Sequence, residues 1–155
     1  MLVYLVRHGE AKSEMEDTSR PLSEKGQRDI GVLADLVAAR FKLFPGRVYH
    51  SPRLRATQTA AIICEKLPHA PAIVETDGLS PMDDPGLWAE RLASEEMDVM
   101  LVGHLPHISK LASNLLICEG GREIADFKPG TVVCLEKTGA WRLKWMVSPD
   151  ILKPL

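Results

Sequence analysis

The chain has 155 residues, enough for one domain that buries roughly two-thirds of the surface its unfolded form exposes. Its 45% hydrophobic and 26% charged residues are ordinary for a globular protein, and a net charge of −2 excludes a general nucleic-acid binder, which needs a clustered basic excess. Cys64, Cys118 and Cys134 lie far apart with no CxxC pair, so neither a zinc site nor a disulfide framework is expected.

The first element, Met1-Leu2-Val3-Tyr4-Leu5-Val6, is short, apolar and β-rich, and reads as a buried central strand. It has no basic flank and is too short for a signal peptide or a membrane span, so a cytoplasmic protein with no membrane partner is expected. Residues 11–19 are polar and loop-like. Ser23 is a candidate N-cap for a helix to about Arg40, with Ile30, Leu33, Ala34, Val37 and Phe41 at core-facing spacing. A turn at Pro45-Gly46 leads to the strand Arg47-Val48-Tyr49-His50. Ser51-Pro52 then predicts a capped helix start, with the helix running to about Leu67.

Ala72-Ile73-Val74-Glu75 reads as a further strand, followed by a loop over 77–86 and a helix from about Pro85 to Glu96, capped by Asp84. The run from Asp98 to Gly103 is a second strongly buried strand and ends at His104. A helix from about Pro106 to Leu116 follows. Thr131 to Glu136 and Trp141 to Val147, around a Thr138-Gly139 turn, predict a β-hairpin with Trp141, Leu143, Trp145 and Val147 all facing a core. Alternating strands and helices predict a single α/β domain over 1–155, built as a three-layer α/β/α sandwich on a mostly parallel sheet.

In such a sheet, ligands collect at the carboxyl ends of the strands. Arg7-His8-Gly9-Glu10 leaves the first strand, Ser51-Pro52-Arg53-Leu54-Arg55 the second, and His104 the fourth. Two histidines and at least two arginines can therefore meet at one edge. A guanidinium beside an imidazole suits a phosphoryl group: one holds the oxygens and the other can attack phosphorus. Arg53 and Arg55 point about 200° apart around a helix, so one can enter the pocket while the other stays solvated. His104 and His107 form an H-x-x-H pair, but no further ligand has usable spacing, so no metal is expected. His107 is read as a helix residue near the cleft, and Cys64 and Cys134 as core.

Leu5-Val6-Arg7-His8-Gly9-Glu10, Ser51-Pro52-Arg53-Leu54-Arg55-Ala56-Thr57-Gln58-Thr59-Ala60 and Val102-Gly103-His104, in that order, resemble the histidine phosphatase superfamily, also called phosphoglycerate mutase-like. Arg20-Pro21-Leu22-Ser23 followed by Gly26, and the ending Trp145-Met146-Val147-Ser148-Pro149, resemble its short SixA-type phosphohistidine phosphatases. The resemblance covers almost the whole chain, with 77–97 and 118–130 the least distinctive.

It implies His8 as a nucleophile that becomes transiently phosphorylated, Arg7 and Arg55 as ligands of the phosphoryl oxygens, His104 as their hydrogen-bond donor and Arg20 as a binding residue at the rim. Two arginines and a protonated His104 would stabilise the charge spread over the equatorial oxygens without a metal or cofactor. Glu10 or a backbone carbonyl would orient the His8 ring. Larger relatives carry a glutamate general acid on an inserted segment; here the stretch Asp77 to Asp84 is short. Asp83 and Asp84 are more easily a turn residue and a helix cap than that acid.

An imidazole leaving group needs a placed acid less than an alkoxide does, which favours phosphohistidine in a protein, such as a histidine-phosphotransfer domain. The alternatives are a phosphatase for a small phosphomonoester and a non-catalytic module that binds a phosphorylated partner. The resemblance gives no oligomer beyond a monomer or weak homodimer.

Overall fold

The computed structural model describes residues 1–118 and 121–152; the predicted domain also takes in 119–120 and 153–155, which lie outside them. In chain order the elements are β1 (Leu2–Arg7), α1 (Glu24–Phe41), β2 (Arg47–His50), α2 (Leu54–Glu65), β3 (Ala72–Glu75), α3 (Pro85–Ala93), β4 (Val99–Gly103), α4 (His107–Ile117), β5 (Val132–Thr138) and β6 (Ala140–Val147), then a 3₁₀ turn, Pro149–Leu152.

β1 is apolar without alternation because both of its faces are covered. Tyr4 and Val6 pack with Ile30, Leu33 and Val37 of α1 and Ala56, Ala60 and Ile63 of α2. Val3 and Leu5 pack with Trp88 and Leu92 of α3 and Ile108, Leu111 and Leu115 of α4. Two cores, one on each side of a sheet, make the predicted three layers.

The strand order is β3-β2-β4-β1-β5-β6. β3, β2, β4 and β1 are mutually parallel, whereas β5 runs antiparallel to β1 and β6 antiparallel to β5. The sheet is therefore mixed, not mostly parallel as the sequence predicts. The reason is the hairpin: a tight turn at Gly139, where φ is +91°, can join only antiparallel strands, and β5 enters beside β1 running the other way.

The hairpin also corrects the side-chain reading. Cys134 pairs with Trp145 but the next residue, Leu135, pairs with Leu143, so Lys144 is an extra residue bulged out of the ladder. The bulge swaps faces: Trp145 and Val147 pack on the α1/α2 side, Trp141 on the α3/α4 side, and Leu143 stays 53% exposed.

The starts of α1 and α3 form as the sequence predicts, although α3 stops at Ala93 rather than at about Glu96. Ser23 has extended backbone and its Oγ accepts the Gly26 N–H at 3.0 Å, while Asp84 accepts the Gly86 N–H at 2.8 Å. α2 differs. It begins at Leu54 with Arg53 at the capping position and no side-chain cap, so the predicted cap, Ser51, is left for another partner. No helix among the described residues is long and apolar enough to cross a membrane.

Candidate active site

Strand register alone brings the predicted residues together. Arg7 at the end of β1 is level with Gly103 at the end of β4, and Val102 with His50 at the end of β2. The segments that leave these three adjacent parallel strands, at His8, His104 and Ser51, thus emerge side by side. The rings of His8 and His104 lie 4.8 Å apart between centroids.

The turn after β1 is held tightly. The His8 N–H donates to Gly103 O at 3.0 Å, and the Gly9 N–H to Thr59 Oγ1 at 3.1 Å. Thr59 in turn donates to Arg55 O at 2.7 Å, so one buried hydroxyl ties the turn to the backbone of Arg55. On the other side the chain presses on α1. A Cβ at Gly26 would stand 2.0 Å from Glu10 O, so only glycine allows this approach.

His8 Nδ1–H donates to Gly9 O at 2.7 Å, which leaves the Nε2 lone pair free, and Arg55 Nε–H donates to that nitrogen at 3.3 Å. The backbone carbonyl therefore orients the ring; Glu10 turns away, accepting from Ser23 Oγ at 2.8 Å and pairing with Lys25. Burial is the main force that lowers the His8 pKa, to about 4, with Arg55, Arg7 and Arg20 adding to it against the Gly9 hydrogen bond. The ring is neutral at pH 7.

Arg55 is buried and Arg53 exposed, the division that their spacing predicts. Burial, then the charges of Arg20 and Arg53, lower the Arg55 pKa, the mark of cations crowded around one point. Arg7 Nη1 donates to Phe127 O at 2.6 Å, and its Nε is buried without a partner among the described residues. Arg20 takes a left-handed backbone, φ +49°, and is half-buried; its Nε donates to Lys12 O at 3.2 Å. Arg20 acts on both His8 and Arg55 through its charge.

His104 is only 1% exposed. Its Nε2 lies 2.6 Å from Ser51 Oγ, and its Nδ1 has no partner among the described residues. Burial, followed by His8, Arg55, Arg53 and His107, lowers its pKa to about 3. A protonated His104, which the sequence reading requires, is therefore disfavoured in the free site, first by burial and then by the neighbouring charges. His107 is fully buried with both ring nitrogens unpartnered among the described residues. Asp83 and Asp84 are engaged in holding Ser80 N–H and Gly86 N–H. Among the described residues no group of three or more metal-ligating side chains is placed to hold an ion.

Residues 3–98 match the model of the histidine phosphatase superfamily, branch 1. The chain belongs to that superfamily. It is 30% identical to the phosphohistidine phosphatase SixA of Escherichia coli (strain K12), over 99% of this chain and 97% of that protein. The solved structure of the protein histidine phosphatase SixA complexed with tungstate superimposes with a TM-score of 0.85 at 28% identity, covering 99% of this chain and all of the other. A phosphoserine phosphatase mutant from Entamoeba histolytica, complexed with phosphoserine, shares the fold with a TM-score of 0.72 at 15% identity, over 98% of this chain and 99% of that one.

Three contributors to the site carry no role in it in the sequence reading: Ser51 (read there as a helix cap), Thr59 and Phe127. Ser51 and Thr59 stand inside the Ser51-to-Ala60 motif, where an uncapped α2 and a buried hydroxyl one turn after Arg55 are their only local signals. Phe127 acts through its carbonyl, which no side-chain pattern encodes.

Proposed function

We propose that this histidine phosphatase removes the phosphoryl group from phosphohistidine in a protein, with His8 as nucleophile. The observation that carries the reading is the His8 tautomer: Nδ1 is committed to Gly9 O and the Nε2 lone pair faces Arg55. Nε2 attacks phosphorus as the bond to the leaving nitrogen breaks, and water then cleaves phospho-His8 to release phosphate. Arg7 and Arg55, with Arg20 at the rim, hold the equatorial oxygens and offset the charge that spreads over them. His104 contributes a hydrogen bond.

The nucleophile needs no base, because burial and neighbouring cations already keep it unprotonated. Cations that disfavour the imidazolium favour an anion in its place. The chemistry calls for no resident metal or cofactor.

The substrate class follows from what surrounds the pocket. Asp83 and Asp84 each accept a backbone N–H, in a turn and in a cap, which favours their ionised forms over an acid for an alkoxide. A departing imidazole takes its proton on the other ring nitrogen from solvent. The segment from Asp77 to Asp84 is short and anchors Leu79 in the α3/α4 core, which favours a folded partner such as a histidine-phosphotransfer domain. The relative named for phosphohistidine supports the same substrate.

The test compares phosphate release from a phosphohistidine protein and from para-nitrophenyl phosphate, for wild type and His8→Ala. The reading expects turnover of the protein that disappears in the variant, and little turnover of the ester. Turnover confined to the ester would move the function to small phosphomonoesters, and none on either would favour a binding module.

A further inference from the structure

Ser51 and His104 form a buried pair whose proton has two possible places. Ser51 is fully buried at the end of β2, and its Oγ already accepts the Arg53 N–H at 3.3 Å. One hydrogen remains on the hydroxyl, and among the described residues the acceptor it has is His104 Nε2, at 2.6 Å. Were Nε2 to donate instead, the serine hydrogen would be buried without an acceptor, at a cost of about 1–3 kcal/mol.

The far nitrogen gives the same answer. His104 Nδ1 is buried and has no partner among the described residues. If Nε2 accepts from Ser51, the neutral ring carries its proton on Nδ1, a donor awaiting an acceptor. If Nε2 donates, Nδ1 is a bare buried lone pair on a ring that feels the charges of Arg55 and Arg53, and it would repel the oxygens those arginines attract. One tautomer suits both the serine and an anion; the other suits neither. In a neutral imidazole the partner of one nitrogen sets the state of the other.

We propose that Ser51 is a positioning residue that donates to His104 Nε2, and so fixes His104 as a neutral donor through Nδ1–H toward the phosphoryl group. The role depends on the phosphoryl reading of this pocket. It resolves how His104 can help an anion although burial, with the charges around it, disfavours the imidazolium.

The test is long-range proton–nitrogen correlation NMR on the ¹⁵N-histidine-labelled protein at pH 7.5, with His104 assigned by its loss in His104→Gln. The expected wild-type pattern is protonated Nδ1 and unprotonated Nε2. Ser51→Ala should shift the balance toward Nε2–H and weaken binding of inorganic phosphate by about 10-fold or more, with Ser51→Thr restoring both. A wild-type ring that is protonated on Nε2, or on both nitrogens, would overturn the proposal. So would a folded Ser51→Ala with unchanged ring pattern and phosphate affinity. If that variant does not fold, the wild-type pattern decides alone. Absence of phosphate binding to wild type would count against the phosphoryl reading, while the tautomer of the free ring would still decide how Ser51 bonds.

Discussion

Lowering the pH tests the environment of His8 directly. With the His8 pKa held at about 4, roughly nine-tenths of the rings stay neutral at pH 5, against about 3% for a histidine at its ordinary 6.5. The nucleophile should thus remain available at a pH where an exposed histidine is almost wholly protonated. The same shift has a cost in stability. The unfolded chain binds a proton near pH 6.5 that the folded chain refuses until about pH 4, so stability is complete above 6.5 and falls as the pH drops through that window. For His8 the loss is about 3 kcal/mol, and the still lower pKa of His104, about 3, carries the decline further into acid. The direct assay is NMR titration of the His8 ring, assigned by His8→Ala, because substrate protonation cannot interfere; urea unfolding at pH 7.5 and pH 5 reads the linkage. Arg55→Met should raise the His8 midpoint yet leave it below 6.5, since burial is the larger cause. A wild-type midpoint near 6.5, with stability unchanged to pH 5, would refute the argument.

Thr59→Val removes the hydroxyl that bridges Gly9 N–H and Arg55 O; it should cost about 1–3 kcal/mol in urea unfolding and lower kcat/KM by 10-fold or so, and unchanged values would show the bridge to be idle. His107→Leu replaces a buried ring whose two nitrogens lack partners among the described residues, so Tm in differential scanning calorimetry should rise, by the equivalent of about 1 kcal/mol or more; a lower Tm would mean that the ring is satisfied. Gly26→Ala forces a methyl into the space of Glu10 O, and should destabilise by more than about 2 kcal/mol in the same assay, whereas a neutral effect would show that the turn gives way freely.

Much of this site was legible because strand ends concentrate chemistry. The unbroken apolar run of β1 predicts a strand covered on both faces, which places Arg7 and His8 at its end. Helical periodicity separates Arg55 from Arg53, and side-chain caps place the starts of α1 and α3. What escaped depends on contacts distant in sequence. The Lys144 bulge depends on the partner strand, so period-two reasoning puts all four alternating residues on one face, whereas Trp141 packs on the opposite side from Trp145 and Leu143 is exposed. Ser51-Pro52 has the local chemistry of a helix cap, but α2 begins only at Leu54 and the Ser51 hydroxyl meets a histidine 53 residues away. The charge state of His104 depends first on how deeply the fold buries it and then on the charges around it, neither of which a single motif reveals. The antiparallel β5 was hidden for a similar reason, since a hairpin does not announce which strand it will join.

The central claim, nucleophilic catalysis by His8 Nε2, is tested most directly by trapping the phosphoenzyme. The protein is mixed with ³²P-labelled phosphohistidine protein, quenched in base within milliseconds, and the labelled peptide and phosphohistidine isomer are identified. The account predicts acid-labile, base-stable label on His8, bonded through Nε2 and formed fast enough to support turnover. Turnover without label on His8, or label carried by Nδ1 or by another residue, would contradict it.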